Sequence, residues 1–320
     1  MKKVLKVLLV LVAVLAGLVG LAAIVISVRG IPTYDFEKVE TKVVSTPARV
    51  EHGARLASML CRNCHFNNDT RRFSGREMTE ETQFGKVFIK NITGHPTAGI
   101  GKWTDGELIS FLRTGTRPDG VYVPPYMPKL WHMSDEDLHS IIAFLRSDHD
   151  WVKPDPTVQP RTEPSFFSKF LTNIGAFKPF PLPKHPIPGP DTNNLVKHGE
   201  YIALYQLECF SCHSKDFAKN DYFVPSKSEG FFGGGNTMKQ MDGKPIQTLN
   251  ITMDEETGIG TWTEADFIKA VKHGQVKNNQ PALRYPMTPY TNLTDKEAAA
   301  IFAYLKSIPK IKHKVERQLN

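Results

Sequence analysis

Apolar positions are distributed along this chain in two different ways, and the change falls near residue 30. From Val7 to Val28 the sequence is apolar throughout, with Gly17, Gly20 and Ser27 as its weak points, and it follows Lys2, Lys3 and Lys6. As a helix these 22 residues rise about 1.5 Å each, enough to cross a hydrocarbon core of about 30 Å. A removable signal has a shorter apolar region of roughly 7–15 residues and a small-residue cleavage site. Neither occurs here, and no cysteine stands where a lipid would attach. The pattern predicts an uncleaved anchor over 1–30. The lysines ahead of it put the N-terminus in the cytoplasm and the rest of the chain on the periplasmic side, as a single span of the cytoplasmic membrane.

Beyond residue 30 the apolar positions fall into short stripes of helical spacing. Leu138, Ile141, Ile142 and Leu145 recur at i, i+3, i+4 and i+7, and Ala298, Ile301, Phe302 and Leu305 repeat the stripe. Ser134 and Thr294 stand where N-caps belong, with Asp137 and Glu297 three residues on as capping-box partners. Thr104 with Glu107 and Thr263 with Asp266 start another pair of helices. A third pair runs toward residues 61 and 209, from near Glu51 and near Lys197. Almost no period-two alternation is visible, so the predicted fold class is all-α.

The stripes come in pairs because the chain repeats itself. "HGARLASMLCRNCH" (52–65) answers "HGEYIALYQLECFSCH" (198–213), with two extra residues in the second copy. "KNITGHPTAGIGKWTDGEL" (90–108) answers "LNITMDEETGIGTWTEADF" (249–267) at a constant offset of 159. "MSDEDLHSIIAFLRS" (133–147) answers "LTDKEAAAIFAYLKS" (293–307) at an offset of 160. Matching blocks in the same order predict two tandem copies of one helical domain behind the anchor. The divisions are a linker over 31–45, a first domain over 46–150, a connector over 151–190, a second domain over 191–312 and a tail over 313–320. Ten of the 23 prolines lie between Pro154 and Pro190, which favours an extended connector without regular structure. Inside it "SFFSKFLTNIGAF" (165–177) is a short amphipathic run, expected to pack across the two domains rather than on a membrane surface.

Composition changes this picture little. Charged residues make up 23% and hydrophobic ones 40%, and the formal charge is +7. Dense Lys/Arg blocks are absent, so a nucleic-acid partner is not expected.

The chemistry lies in "CRNCH" (61–65) and "CFSCH" (209–213), which hold all four cysteines of the chain. C-x-x-C-H is the attachment signature of c-type haem. Two cysteines three positions apart on a helical turn can form thioethers to the two vinyl groups of one porphyrin, and the adjacent histidine then reaches the iron. A zinc site would bring its CxxC pairs within about 12–20 residues, whereas these lie far apart. A thioredoxin-like motif needs a βαβ context, and disulfides within CxxC would be strained. Two covalently bound haem c groups are therefore expected, attached at Cys61 and Cys64 and at Cys209 and Cys212, with His65 and His213 as iron ligands.

The repeat also suggests the ligands on the opposite face. Seven residues before the caps Ser134 and Thr294 stand Met127 in "PPYMPKL" and Met287 in "RYPMTPY", both in loops rich in Tyr and Pro. Met133 corresponds to Leu293 and reads as a core residue, while Met59, Met238, Met241 and His132 have no counterpart. His52 and His198 do match, each followed by glycine, and are expected to make helix contacts rather than bind iron. Trp103 and Trp262 are expected to wall the haem pockets, with the neighbouring glycines letting backbone approach the porphyrin edge. "FFGGGN" (231–236) lacks the lysine and hydroxyl of a phosphate loop and reads as a flexible loop.

With CxxCH after an "HG" helix, "NIT…GIGKWTDGEL", "LRTGTRPDG" and a Pro/Tyr-flanked Met, the chain resembles tandem class I cytochrome c domains over roughly 46–150 and 191–310. It is similar to those in the cytochrome c subunits of membrane-bound alcohol, aldehyde and gluconate dehydrogenase complexes. The resemblance implies thioethers at Cys61, Cys64, Cys209 and Cys212, proximal His65 and His213, and distal Met127 and Met287. Such subunits usually carry three haem domains and a C-terminal membrane segment; two domains behind an N-terminal anchor leave the donor open. The expected function is electron relay from an exported dehydrogenase or quinol-oxidising complex to a terminal oxidase or soluble carrier, without catalysis by the chain itself. A dihaem peroxidase, with one open distal site, is the alternative. A haem-based sensor is a third reading, without a visible signalling domain.

Overall fold

The computed structural model describes residues 2–317. Helix α1 (Lys2–Arg29) is continuous, has no buried residue and is long and apolar enough to cross a membrane. The chain beyond it is built on two helix crossings. Helix α2 (Pro47–Leu60) and the short α3 (Arg62–His65) precede α4 (Asp105–Thr114) and α5 (Asp135–Leu145), and α2 packs on α5. In the second half α7 (Leu195–Tyr201) packs on α10 (Asp295–Ser307), with α8 (Cys209–His213) and α9 (Glu264–His273) between them in sequence. The stripes Leu138, Ile141, Ile142, Leu145 and Ala298, Ile301, Phe302, Leu305 are all buried and join one hydrophobic core.

The matched "HG" pairs are explained at these crossings. A β-carbon on Gly53 would lie 1.8 Å from the carbonyl oxygen of Ser140, and one on Gly199 would lie 1.8 Å from that of Ala300. Ser140 and Ala300 are repeat equivalents, so both crossings need glycine for the same contact. The two extra residues of the second copy are absorbed by a π-turn over Ile202–Gln206 and by Glu208 in the left-handed region (φ 49°, ψ 40°).

The caps follow the sequence with one departure. Thr104, Thr263 and Thr294 each form full capping boxes, with Glu107, Asp266 and Glu297. At α5 Ser134 accepts from the Asp137 N–H, but the Asp137 carboxylate is drawn to His52 and Tyr201 instead of back to the cap.

The all-α expectation is corrected: the chain is helix-rich, 40% helical, with short strands. Strands β1 (Glu77–Met78), β2 (Gly85–Phe88) and β3 (Glu163–Pro164) form an antiparallel sheet in that order, with Met78 opposite Val87 and Lys86 opposite Glu163. Strands β4 (Thr237–Lys239) and β5 (Pro245–Gln247) form a second antiparallel pair. Segments of two to four residues are too short to show alternation, which is why periodicity missed them.

The proline-rich connector also departs from a free, extended strand. It contributes β3 and helix α6 (Phe166–Asn173) and lies along the first half. The Asn91 amide donates to the carbonyls of Asp155 and Thr157 (both 2.9 Å), and Gln159 donates to that of Ser74 (2.9 Å). Proline removes N–H donors but leaves carbonyls, and side chains of the first half satisfy them. The segment ahead of α2 is tied down similarly: Val39 N–H donates to Ser110 Oγ and Val43 N–H to Asp105 Oδ2. The "FFGGGN" stretch is packed rather than flexible, since Phe232 is fully buried and Gly234 N–H donates to the His213 carbonyl (2.7 Å).

Gly53→Ala and Gly199→Ala should each destabilise the protein by at least about 1–3 kcal/mol through overpacking at a backbone contact. Gly189→Ala, whose added methyl would meet nothing within 4 Å, should leave stability unchanged. Denaturant unfolding of the three variants checks this; equal stabilities would contradict the close crossing.

Candidate functional site

Each cysteine–histidine turn sits where a core helix ends. Helix α2 terminates at Cys61 and α3 carries the turn on to His65; in the second half α8 holds Cys209, Cys212 and His213. All four cysteines are free thiols of intermediate exposure. Burial pushes Cys61 and Cys209 up to about 12 and Cys212 to about 11, so these thiols are neutral at neutral pH. Cys61 and Cys209 pack against the main core, while Cys64 lies against a small cluster of Met78, Val87 and Ile89 flanked by Phe84 and Tyr126.

The histidines are oriented identically. His65 Nδ1 lies 2.9 Å from the Lys90 carbonyl and His213 Nδ1 lies 2.8 Å from the Leu249 carbonyl. A carbonyl can only accept, so Nδ1 carries the proton and Nε2 keeps its lone pair. Burial lowers the basicity of both rings, that of His65 to about 4, against the raising effect of the carbonyls. Each ring is therefore neutral at pH 7, with one nitrogen fixed by the backbone and the other available as a ligand, as metal-binding histidines generally are held.

The carbonyls are held by the "NIT" segments. Asn91 Oδ1 accepts from the N–H (2.9 Å) and hydroxyl (2.7 Å) of Thr93, and Asn250 does the same for Thr252 (2.9 and 2.8 Å). Their amides reach the strap that follows the last helix of each half, at Asp155 and at Ile311, both carbonyls. Thr93 and Thr252 hydroxyls in turn accept from the N–H groups of Asp155 and Ile311. The glycines of the "GIG" segments serve this loop: β-carbons on Gly99 and Gly258 would each fall 2.2 Å from the Thr93 and Thr252 carbonyls. Their tightness is explained by loop packing. Trp103 and Trp262 are partly buried against the main core, Trp103 edge-on to Phe111.

Met127 and Met287 occupy equivalent loops. Val123 N–H donates to Gly115 O and Leu130 N–H to Leu112 O; Leu283 and Tyr290 make the matching bonds to Gly274 and Val271. Both methionines are partly buried. The first loop has an additional clamp, the buried Lys129 ammonium, which donates to the carbonyls of Val123 (2.6 Å), Pro124 (3.0 Å) and Met127 (2.8 Å). Two free thiols, a neutral imidazole with an available Nε2 and a methionine loop in each half form a donor set that could hold a covalently attached haem.

The two halves meet reciprocally. Tyr201 stands three residues after His198, and its hydroxyl donates to Asp137 while accepting from Ser134 N–H (2.9 Å) at the start of α5. Arg55 stands three residues after His52 and pairs with Glu297 at the start of α10 (2.6 Å). Asp137 and Glu297 are repeat equivalents, so each half offers its acidic helix start to the other. The same exchange reaches the site: Asn63, inside the first cysteine motif, donates to Thr288 beside Met287 (3.2 Å). Burial pushes Lys129, beside the Met127 loop, down to about 7 and Glu208, next to Cys209, up to about 8, each partly offset by the opposite charge of the other. His52 bonds Asp137 (2.6 Å), and His132 bonds the Tyr222 carbonyl (3.0 Å), so both serve the packing. Sequence reading passed over Arg55 and Tyr201 because they differ in type; their equal spacing from the matched histidines was the available signal.

Residues 202–309 match the family model of cytochrome c. The chain is 28% identical over 289 residues to the alcohol dehydrogenase (quinone) cytochrome c subunit of Gluconacetobacter polyoxogenes, covering 85% of this chain and 59% of that protein. It is 27% identical over 258 residues to the fructose dehydrogenase cytochrome subunit of Gluconobacter japonicus, covering 78% and 50%. A protein named dihaem cytochrome c-type from Cereibacter sphaeroides is 26% identical over 261 residues, covering 78% of this chain and 82% of that one. The chain thus spans between half and three-fifths of the length of the first two relatives. These matches bear out the resemblance to cytochrome c subunits of dehydrogenases.

The reciprocal contact makes a pH prediction. Burial acts to raise Asp137 and Glu297, but hydrogen bonds from His52 and Tyr201 on one, and from Arg55 and Thr294 on the other, outweigh it and hold both below the usual range. Depressed carboxylates stabilise the folded state above their unfolded pKa of about 4, and that contribution is lost as pH falls through the folded value. Their contribution should be level from about pH 7 to 5 and decline below about pH 4, separately from the loss on acidification that the buried neutral His65 and His213 impose, which sets in at higher pH. Tyr201→Phe and Arg55→Leu should each cost about 1–3 kcal/mol at pH 7 and flatten the acid limb. Unfolding curves across pH would contradict this if the variants kept the full acid dependence.

Proposed function

We propose that this chain is a membrane-anchored dihaem c-type cytochrome that relays electrons and catalyses no reaction of its own. The observation that carries the reading is the identical setting of His65 and His213, each with Nδ1 held by a backbone carbonyl and Nε2 left free beside a CxxC pair. In this reading Cys61 and Cys64, and Cys209 and Cys212, form the thioethers, His65 and His213 are the proximal ligands, and Met127 and Met287 are the distal ones. Residues 46–150 and 191–312 are then two cytochrome c domains, α1 is the uncleaved anchor, and the domains lie on the periplasmic side. Bound haem c supplies a one-electron iron couple whose potential is raised by methionine ligation.

The protein's own contribution is positional. The carbonyls of Lys90 and Leu249 keep each imidazole in one tautomer and orientation. The matched hydrogen-bond frames around Met127 and Met287 support closing both distal positions, which suits a relay rather than substrate binding. The contact Asn63–Thr288 joins the first cysteine motif to the second half's methionine loop, which supports transfer from one haem to the other within the chain. The names of the relatives support a dehydrogenase as electron donor. A terminal oxidase or a soluble carrier would be the acceptor.

The haem content of the full chain should be two per polypeptide, falling to one in a Cys61→Ser, Cys64→Ser variant. Met127→Ala and Met287→Ala should each remove about half of the near-infrared methionine–iron absorption and open one haem to carbon monoxide. An unchanged spectrum would reject that ligand. Rapid carbon monoxide binding to one haem of the reduced wild type would favour a peroxidase-like site instead.

A further inference from the structure

Helix α6 is amphipathic in the opposite sense from a helix that packs on a protein core. Its polar residues Ser168 and Thr172 are buried, and Ser168 Oγ donates to the Phe84 carbonyl (3.0 Å). Its apolar stripe faces outward: Phe166, Phe170 and Ile174, spaced i, i+4 and i+8, are 48%, 39% and 57% exposed. A soluble helix turns such a stripe inward. The expectation that this run packs across the two domains is therefore corrected. It lies on the first half, where Phe84 meets Phe167 and Phe177, and on the end of α1.

The contact with α1 says what covers the stripe. Lys169 Nζ donates to the Ser27 carbonyl (3.1 Å) and Asn173 Nδ2 to the Gly30 carbonyl (2.8 Å). Ser27 is the penultimate residue of the 22-residue apolar run and Gly30 stands two beyond its end. Helix α6 is thus tethered at the outer limit of the span, at the level where acyl chains give way to headgroups. From Ser165 to Phe180 there is no acidic residue, while Lys169 and Lys178 are present. That composition suits an interfacial helix on a lipid surface.

We propose that α6 is an in-plane membrane helix of the outer-facing leaflet, with Phe166, Phe170 and Ile174 inserted to the acyl boundary beside the end of α1. This rests on the reading of α1 as a retained span. The consequence is a fixed seating of the first half. Through Phe84, which packs in the same cluster as Cys64 and Tyr126, the first cysteine turn is held close to the membrane surface by two elements instead of swinging on one.

The test uses the full haem-loaded chain in phospholipid nanodiscs. A nitroxide is carried on p-acetylphenylalanine at position 170, with controls at position 11 within the span and at the exposed position 158. Power saturation should find position 170 several-fold more accessible to oxygen than to a water-soluble nickel chelate, as at position 11, with the reverse at position 158. A chain that stays in the membrane with position 11 in lipid but position 170 open to the chelate overturns the α6 proposal alone. Protection of position 170 from both reagents also overturns it, in favour of a protein partner on this face. A chain recovered without the membrane overturns both this proposal and the reading of α1.

Discussion

Two helix crossings without a β-carbon between them set the geometry of everything else. Where α2 meets α5 at Gly53 and α7 meets α10 at Gly199, any side chain would enter the carbonyl of Ser140 or Ala300. The close approach fixes the direction of the helix that ends in the cysteine turn. It also places the histidine before each glycine, and the residue three positions after that histidine, beside the start of the last helix of a half. One backbone contact therefore positions both the cysteine turn and the surface by which the halves join.

The second constraint is polar. Asn91 and Asn250 are buried, and a buried amide must find its partners or cost stability. Each satisfies the requirement by tying its own threonine to the strap that closes its half, and the residue just before each asparagine offers its carbonyl to the histidine. The imidazole is thus oriented by a loop that is locked from behind. The interface between the halves follows the same logic at Asp137 and Glu297, where the neighbouring half adds a donor, Tyr201 to one and Arg55 to the other. Asp137 departs from a full capping box because Tyr201 and His52 compete successfully for its carboxylate.

Much of this was legible in the residues. The CxxCH turns, the paired stripes, three of the four capping boxes and the long apolar helix at the N-terminus all rest on local spacing, and each element formed where its spacing put it. What was illegible lay in contacts between segments distant in sequence. Strands of two residues carry no period. The proline-rich connector looked free because its own donors are few, yet its carbonyls are claimed by Asn91 and by Lys90 of the first half. "FFGGGN" looked flexible because glycine permits flexibility, yet Phe232 is fully buried and the loop closes on His213.

The sequence by itself determined which residues could carry chemistry and that they come as two equivalent sets, because duplication and helix spacing are properties of the chain alone. Only the tertiary structure decided that His65 and His213 present Nε2, since the carbonyls that hold their other nitrogen lie 25 and 36 residues away. It also decided that the halves face one another through matched acidic helix starts, and that the aromatic stripe of α6 points outward beside the end of α1. Those outcomes depend on which polar groups compete for burial, and that competition is settled between segments rather than within them.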